Sequence, residues 1–252
     1  GFGAVMNAYS NGVLFAQALH GRGVANYLMM QFDAALNDFD GVTNKFPASE
    51  VFQHSFYMSG MCSYWLGNDA RAVAVCRDFV KRYPESQWAA DAMFWIANYE
   101  YNEGLFENAE KDFSAFVAKY PGNQLSDDAL LWAGLSASRR KEYVRAIELF
   151  SKLSKDYPES KKMVDARYAQ AEALSELARF PEAILIFDEV INKYQGSPLI
   201  VEAWGRKGDC QFSLGADDKK RYEESMESFR IVANDPAAGP DLVLRAEYQI
   251  GR

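Results

Sequence analysis

The residue types able to do chemistry are few in this chain, and their spacing argues against using them for catalysis. His20 and His54 are its two histidines. With no third ligand at a fixed spacing they do not make a zinc site. Cys62, Cys76 and Cys210 are too widely spaced for a zinc knuckle, and an odd count cannot pair completely. "HGRGVAN", from His20, contains G-x-G but follows helical rather than strand-like sequence, so it lacks the setting of a phosphate loop. "DFDG" at Asp38–Gly41 lacks the remaining ligands of a calcium loop. The carboxylate pairs Asp127-Asp128 and Asp217-Asp218 carry no burial signal that would raise one pKa for acid–base work. No G-x-S-x-G elbow is present, nor a cysteine placed with His and Asp. The expectation is a chain that is not an enzyme and uses no cofactor and no metal.

The elements that position these residues must therefore be read for recognition. The chain has 252 residues, 49% hydrophobic and 25% charged, enough apolar material for a sizeable core. Its 27 Lys and Arg against 35 Asp and Glu leave a net charge of −8, without the basic stripe that nucleic acid or an anionic membrane surface requires. No stretch approaches 18 consecutive apolar residues, which predicts no membrane span. The opening segment "GFGAVMNAYSNGVLFAQAL" has no basic n-region, so no signal peptide is read there.

A period organises the whole chain. "KFP" ends at Pro47, "RYP" at Pro84, "KYP" at Pro121, "DYP" at Pro158 and "KYQ" at Gln195, each 37 residues after the last. Ala35, Ala72, Ala109, Ala146 and Ala183 share one column, and Phe39, Cys76, Phe113, Phe150 and Phe187 share another four residues later. Earlier in each unit an A-x-Y-x-x-G pattern recurs, as in Ser55/Tyr57/Gly60, Ala129/Leu131/Gly134 and Ala246/Tyr248/Gly251. Both sets have helical spacing, so each unit is predicted to be two helices of about 14 to 16 residues.

The prolines punctuate the units. Proline cannot continue a helix and pushes the preceding tyrosine out of the α region. Ser49, Ser86, Ser160 and Ser197, two residues on, are expected to cap the next helix. Where Gln195 replaces the proline, Pro198 behind Ser197 keeps the boundary. Turns inside the units carry Gly67-Asn68, Glu103-Gly104 or Lys141-Glu142, and "ADDKK" lengthens the sixth as a surface insertion. The predicted fold class is all-α, a right-handed α-solenoid of antiparallel helix pairs with a 37-residue period. It reads as one domain over 1–252, with units at about 11–47, 48–84, 85–121, 122–158, 159–195 and 196–236 and a half unit at 237–252. Leu242, Val243, Leu244 and Ile250 give the last helix no polar outer face, which predicts a fragment with further chain beyond it.

This pattern resembles the tetratricopeptide repeat, whose helix-turn-helix unit has small residues in its first helix, an Ala-x-x-x-Phe pair in its second and a closing proline. The "A-x-Y-x-x-G … A-x-x-x-F … YPES" variant resembles the subfamily found in bacterial envelope proteins, such as the TolA-binding accessory protein of the Tol-Pal system and the outer-membrane barrel-assembly lipoprotein. The resemblance implies a periplasmic or envelope-associated location, with a cytoplasmic one as the alternative.

In this family the concave face is lined by first helices. Its columns place His20, Tyr27, His54, Tyr57, Tyr64, Trp65, Phe94 and Tyr101 in an aromatic N-terminal groove. Asp128, Asp165, Tyr168 and Glu172 fall in an acidic C-terminal groove. His20 and His54 occupy inward columns of adjacent first helices and can come near each other. Such a surface suits an amphipathic helix or extended peptide with apolar anchors and basic residues. The carboxylate-clamp reading needs inward Lys, Arg and Asn, and here mainly Arg139 answers. The resemblance implies a non-catalytic, monomeric scaffold that binds a protein or peptide partner in an envelope assembly. The alternatives are a helical accessory domain of a larger enzyme or secretion machine, and a self-assembling lattice.

Overall fold

The computed structural model describes residues 12–251. The first unit's start at residue 11, most of the opening segment and the final Arg252 lie outside the described residues. Among the described residues there are thirteen helices and no strand: α1 (Val13–Leu28), α2 (Phe32–Lys45), α3 (Phe52–Trp65), α4 (Asp69–Arg82), α5 (Ala89–Asn102), α6 (Phe106–Lys119), α7 (Ser126–Arg139), α8 (Tyr143–Asp156), α9 (Met163–Glu176), α10 (Phe180–Lys193), α11 (Leu199–Leu214), α12 (Lys220–Asn234) and α13 (Pro240–Ile250). From α1 to α4 and from α6 to α13 each helix packs on the next, so the fold is the all-α, helix-pair solenoid class that the period predicts. Two compact units are distinguished, the first ending at Glu100 and the second beginning at Tyr101, inside the last turn of α5.

Within both units the repeat columns make the core. Phe39, Cys76, Phe113, Phe150 and Phe187, and the alanines four residues before each, are all 0% exposed. The glycines of the first helices exist for these rings. A Cβ on Gly23 would lie 2.9 Å from Phe39 Cε1, and one on Gly134 would lie closer still to Phe150. Omitting the Cβ lets the second helix of a pair press its aromatic ring onto the first helix's backbone. Cores then link neighbouring pairs: Phe187 packs with Ala171 and Leu174 of α9 and with Ala203 and Cys210 of α11.

The boundary phrase folds differently from the expectation of a helix cap. After α4 the backbone leaves the helix at Tyr83 (φ −127°, ψ 57°), and Ser86 N donates to Tyr83 O at 3.0 Å. Tyr-Pro-Glu-Ser is thus a β-turn with proline at its second position. A second turn starts from the serine, and α5 begins only after it, with Ala89 N donating to Ser86 O at 2.9 Å. Ser49, Ser160 and Ser197 use Oγ to accept from the N–H two residues on, at 3.4, 3.0 and 3.2 Å. The serine stabilises the turn ahead of the helix and does not cap the helix itself. In the Tyr194–Ser197 turn, Gly196 at φ 92° takes over where Gln195 stands for proline.

Inside the pairs, every tight turn places one residue in the left-handed region at the repeat period: Met30 (58°), Gly67 (75°), Gly104 (74°), Lys141 (62°) and Ala178 (55°). Only two of these five are glycine, so the position is set by the helix-pair geometry and not by local preference. α13 is not bare on both sides. Leu242 and Ile250 pack against the cluster of Val201, Phe229, Val232 and Ala246, whereas Leu244 is 67% exposed.

Candidate partner-binding face

On α1 and α3 the two histidines do meet. His20 Nε2 lies 2.6 Å from His54 Nδ1, one ring donating to the other, and His54 stacks on Trp88 at 4.7 Å. Burial holds both imidazoles below their usual pKa. For His54, burial and then the neighbouring His20 push it down to about 4. The pair is a neutral, aromatic-lined contact between repeats at neutral pH. Among the described residues no group of three or more His, Cys, Asp or Glu is placed to hold a metal.

Tyr27, Tyr64 and Trp65 form an aromatic edge near the turns of the first two repeats. Trp65 Nε1 donates to Tyr27 Oη at 3.0 Å, its ring stacks on Phe32 at 5.6 Å, and Tyr64 meets Trp95 edge-on at 5.3 Å. Trp65 and Tyr64 remain exposed. Tyr57 behaves differently. It packs among Met61, Phe79 and Cys76, and burial, with the Asp91 charge second, pushes its phenol well up. Tyr57 therefore contributes mainly to the core between α3 and α4. Phe94 is half-buried.

In the second unit Tyr101 packs against Trp132 at 4.8 Å and Phe106 at 5.3 Å, and Arg139 Nε donates to its hydroxyl at 3.4 Å. The acidic columns are not bare. Lys162 pairs with Asp128 at 2.9 Å, Arg206 with Glu172 at 2.9 Å, and Arg245 with Asp209. Asp165 is exposed in the first turn of α9. These cations stand 34, 34 and 36 residues after their acids, about one repeat on. A search for opposite charges at that separation would have found them.

Tyr168 lies on Phe187 at 5.8 Å, and burial, reinforced by the Glu172 charge, pushes its phenol up to about 12. Beside it a hollow of about 230 Å³ opens on the first-helix face, lined by Tyr168 of α9, Glu202 and Arg206 of α11, and Leu242, Arg245 and Ala246 of α13. Phe229 and Val232 of α12 also line it. A second hollow of about 170 Å³ shares Arg206 and adds Glu172, Glu176, Asp209 and Ser213. Apolar walls with both signs of charge at the rim can take a side chain of a peptide and orient its polar neighbours.

Comparison with known proteins agrees with this geometry. Models of the tetratricopeptide repeat match residues 54–86, 91–123, 128–160 and 168–240, more than half of the chain. A curated relative, the outer membrane protein assembly factor BamD of Caulobacter vibrioides, is 31% identical over 82 residues, 29% of this chain. That match spans 27% of the relative's own length. Among solved structures, the C-terminal part of a TPR repeat-containing protein from Cytophaga hutchinsonii superposes with a TM-score of 0.73 at 16% identity, covering 97% of this chain and 91% of that one. A tetratricopeptide repeat protein from Parabacteroides merdae gives 0.61 at 15%, covering 94% and 99%. These structures share the fold. No helix among the described residues is long and apolar enough to cross a membrane. The columns, the helix pairs and the matched models agree, and the chain belongs to the tetratricopeptide repeat family.

Proposed function

We propose that this chain is a non-catalytic scaffold that holds a peptide or helix of a partner protein along its first-helix face. The observation that supports this best is the pair of adjoining hollows around Arg206, lined by residues of successive first helices. The apolar wall of the first hollow, from Phe229, Val232, Leu242 and Ala246, suits a peptide's apolar anchor, and Arg206, Arg245, Glu202 and Asp209 supply partners for its polar groups. The paired charges steer orientation more than they add affinity. Within the first unit His20, Tyr27, His54, Tyr64 and Trp65, and within the second unit Tyr101, are further candidate contact residues in this reading, and Asp165 of the second unit offers an uncommitted acid.

We place the scaffold in a bacterial cell-envelope assembly, at the periplasmic side. Support comes from the Tyr-Pro-Glu-Ser repeat variant and from the match to an outer membrane assembly factor. Photo-crosslinking in the native cell tests both points, with a probe at Glu202 and a control probe at the exposed Lys111 of α6. A discrete envelope protein captured at Glu202, and lost in Arg206→Glu, is the expected result. Capture at Lys111 with silence at Glu202 would overturn the first-helix reading.

A further inference from the structure

Met30 combines two unfavourable features at one residue. Its φ of 58° lies where a Cβ is disfavoured, and the equivalent position one repeat later is Gly67. Its side chain is also 78% exposed. Glycine there would relieve the backbone and remove apolar surface, so folding does not account for the methionine. Leu28 (76%) and Met29 (58%) join it to make an apolar tip on the α1–α2 turn.

The next turn continues this surface. Trp65 (56%) and Leu66 (37%) are exposed at the end of α3. The two tips are tied together where Trp65 stacks on Phe32 and donates to Tyr27. The rim is acidic: Asp33 and Asp69 stand in the first turns of α2 and α4, directly after the tips. Among the described residues neither of them makes an ion pair. Arg71, the nearby cation, is held by both oxygens of Asp40 at 2.7 and 2.6 Å.

We propose that this edge docks a basic amphipathic helix of a partner protein, in addition to the first-helix face of the second unit. The methionines supply an adaptable apolar seat, and the acids at the rim select lysine and arginine on the helix flank. Acidic residues at the rim disfavour an anionic lipid surface.

The test titrates the full chain with a fluorescent helical peptide of leucine and lysine about 18 residues long, roughly 27 Å. A leucine–glutamate peptide of the same pattern is the charge control. The lysine peptide should bind and the glutamate peptide should not. Met30→Gly should weaken binding about tenfold or more while leaving the melting temperature equal or higher. The Asp33→Lys, Asp69→Lys pair should weaken it comparably. Because Met30→Gly relieves the backbone, lost binding cannot be ascribed to unfolding. Binding indifferent to both variants, or abolished only by Arg206→Glu, would overturn the proposal. So would binding to phosphatidylglycerol vesicles that Met30→Gly removes, which would assign the edge to lipid.

Discussion

His20 Nε2 and His54 Nδ1, on successive first helices, share one hydrogen bond of 2.6 Å beneath aromatic neighbours, an arrangement that requires the accepting ring to be neutral, while burial disfavours a charge on either ring. Both folded-state pKa values lie below the ordinary histidine value of about 6.5. A depressed pKa means the unfolded chain binds the proton more tightly, so this contribution is complete above pH 6.5 and lost as pH falls toward 4. The loss should be about 1 to 2 kcal/mol, since both rings are partly open to water. Urea midpoints between pH 7.5 and 4.5 would show it, and a His20→Asn, His54→Gln chain should lose the extra slope.

Gly134 faces the ring of Phe150 at a distance no real Cβ tolerates. Gly134→Ala should destabilise by about 1 to 3 kcal/mol, because the buried ring has no free volume into which to retreat. Gly122→Ala, where nothing lies within 4 Å, should stay within about 0.5 kcal/mol of the parent. Equal effects in thermal denaturation would refute the packing account.

The left-handed turn position predicts opposite signs for opposite substitutions. Ala178→Gly should stabilise by about 0.5 to 1 kcal/mol, since the strain relieved exceeds the added chain entropy. Gly104→Ala should destabilise by about 1 kcal/mol, although open space surrounds its missing Cβ. Denaturant midpoints with unchanged slopes would decide it.

Asp38 is 3% exposed and accepts from Arg22 Nη2 at 2.5 Å, Arg22 Nε at 2.9 Å and Asn26 Nδ2 at 3.1 Å. Arg22→Ala leaves that carboxylate buried with one amide donor and should cost about 3 kcal/mol. Arg22→Met with Asp38→Leu should recover most of it. A double variant no better than the single would show that the charges are not coupled.

The repeat itself was legible because packing and period impose the same kind of residue at the same place: a small residue on the first helix to admit the ring, a phenylalanine on the second to be the ring, a proline to end the helix. His20 and His54 were also readable as neighbours, since both occupy inward columns. The serine's role was not, because Tyr-Pro-Glu-Ser reads locally like a cap signal while two turns intervene before the helix. Met30 and Ala178 carry no sign of φ > 0, since the helix pair imposes that conformation against residue preference. Asp128 and Glu172 read as part of an acidic groove because their partners, Lys162 and Arg206, come from the following repeat.

The sixth pair shows what holds two helices together. Gly23 meets Phe39 sixteen residues later, whereas Gly208 meets Phe229 twenty-one later, at 2.9 Å from the position of a Cβ in each case. The longer turn therefore leaves the docking unchanged. Ser225 Oγ still donates to Gly208 O at 2.8 Å, and Ser228 Oγ to Gln211 Oε1 at 2.7 Å. Side-chain complementarity aligns α11 with α12, and the "ADDKK" segment is only a tether. A chain nicked by a protease within that tether would remain assembled, its two fragments migrating together until a denaturant parts them.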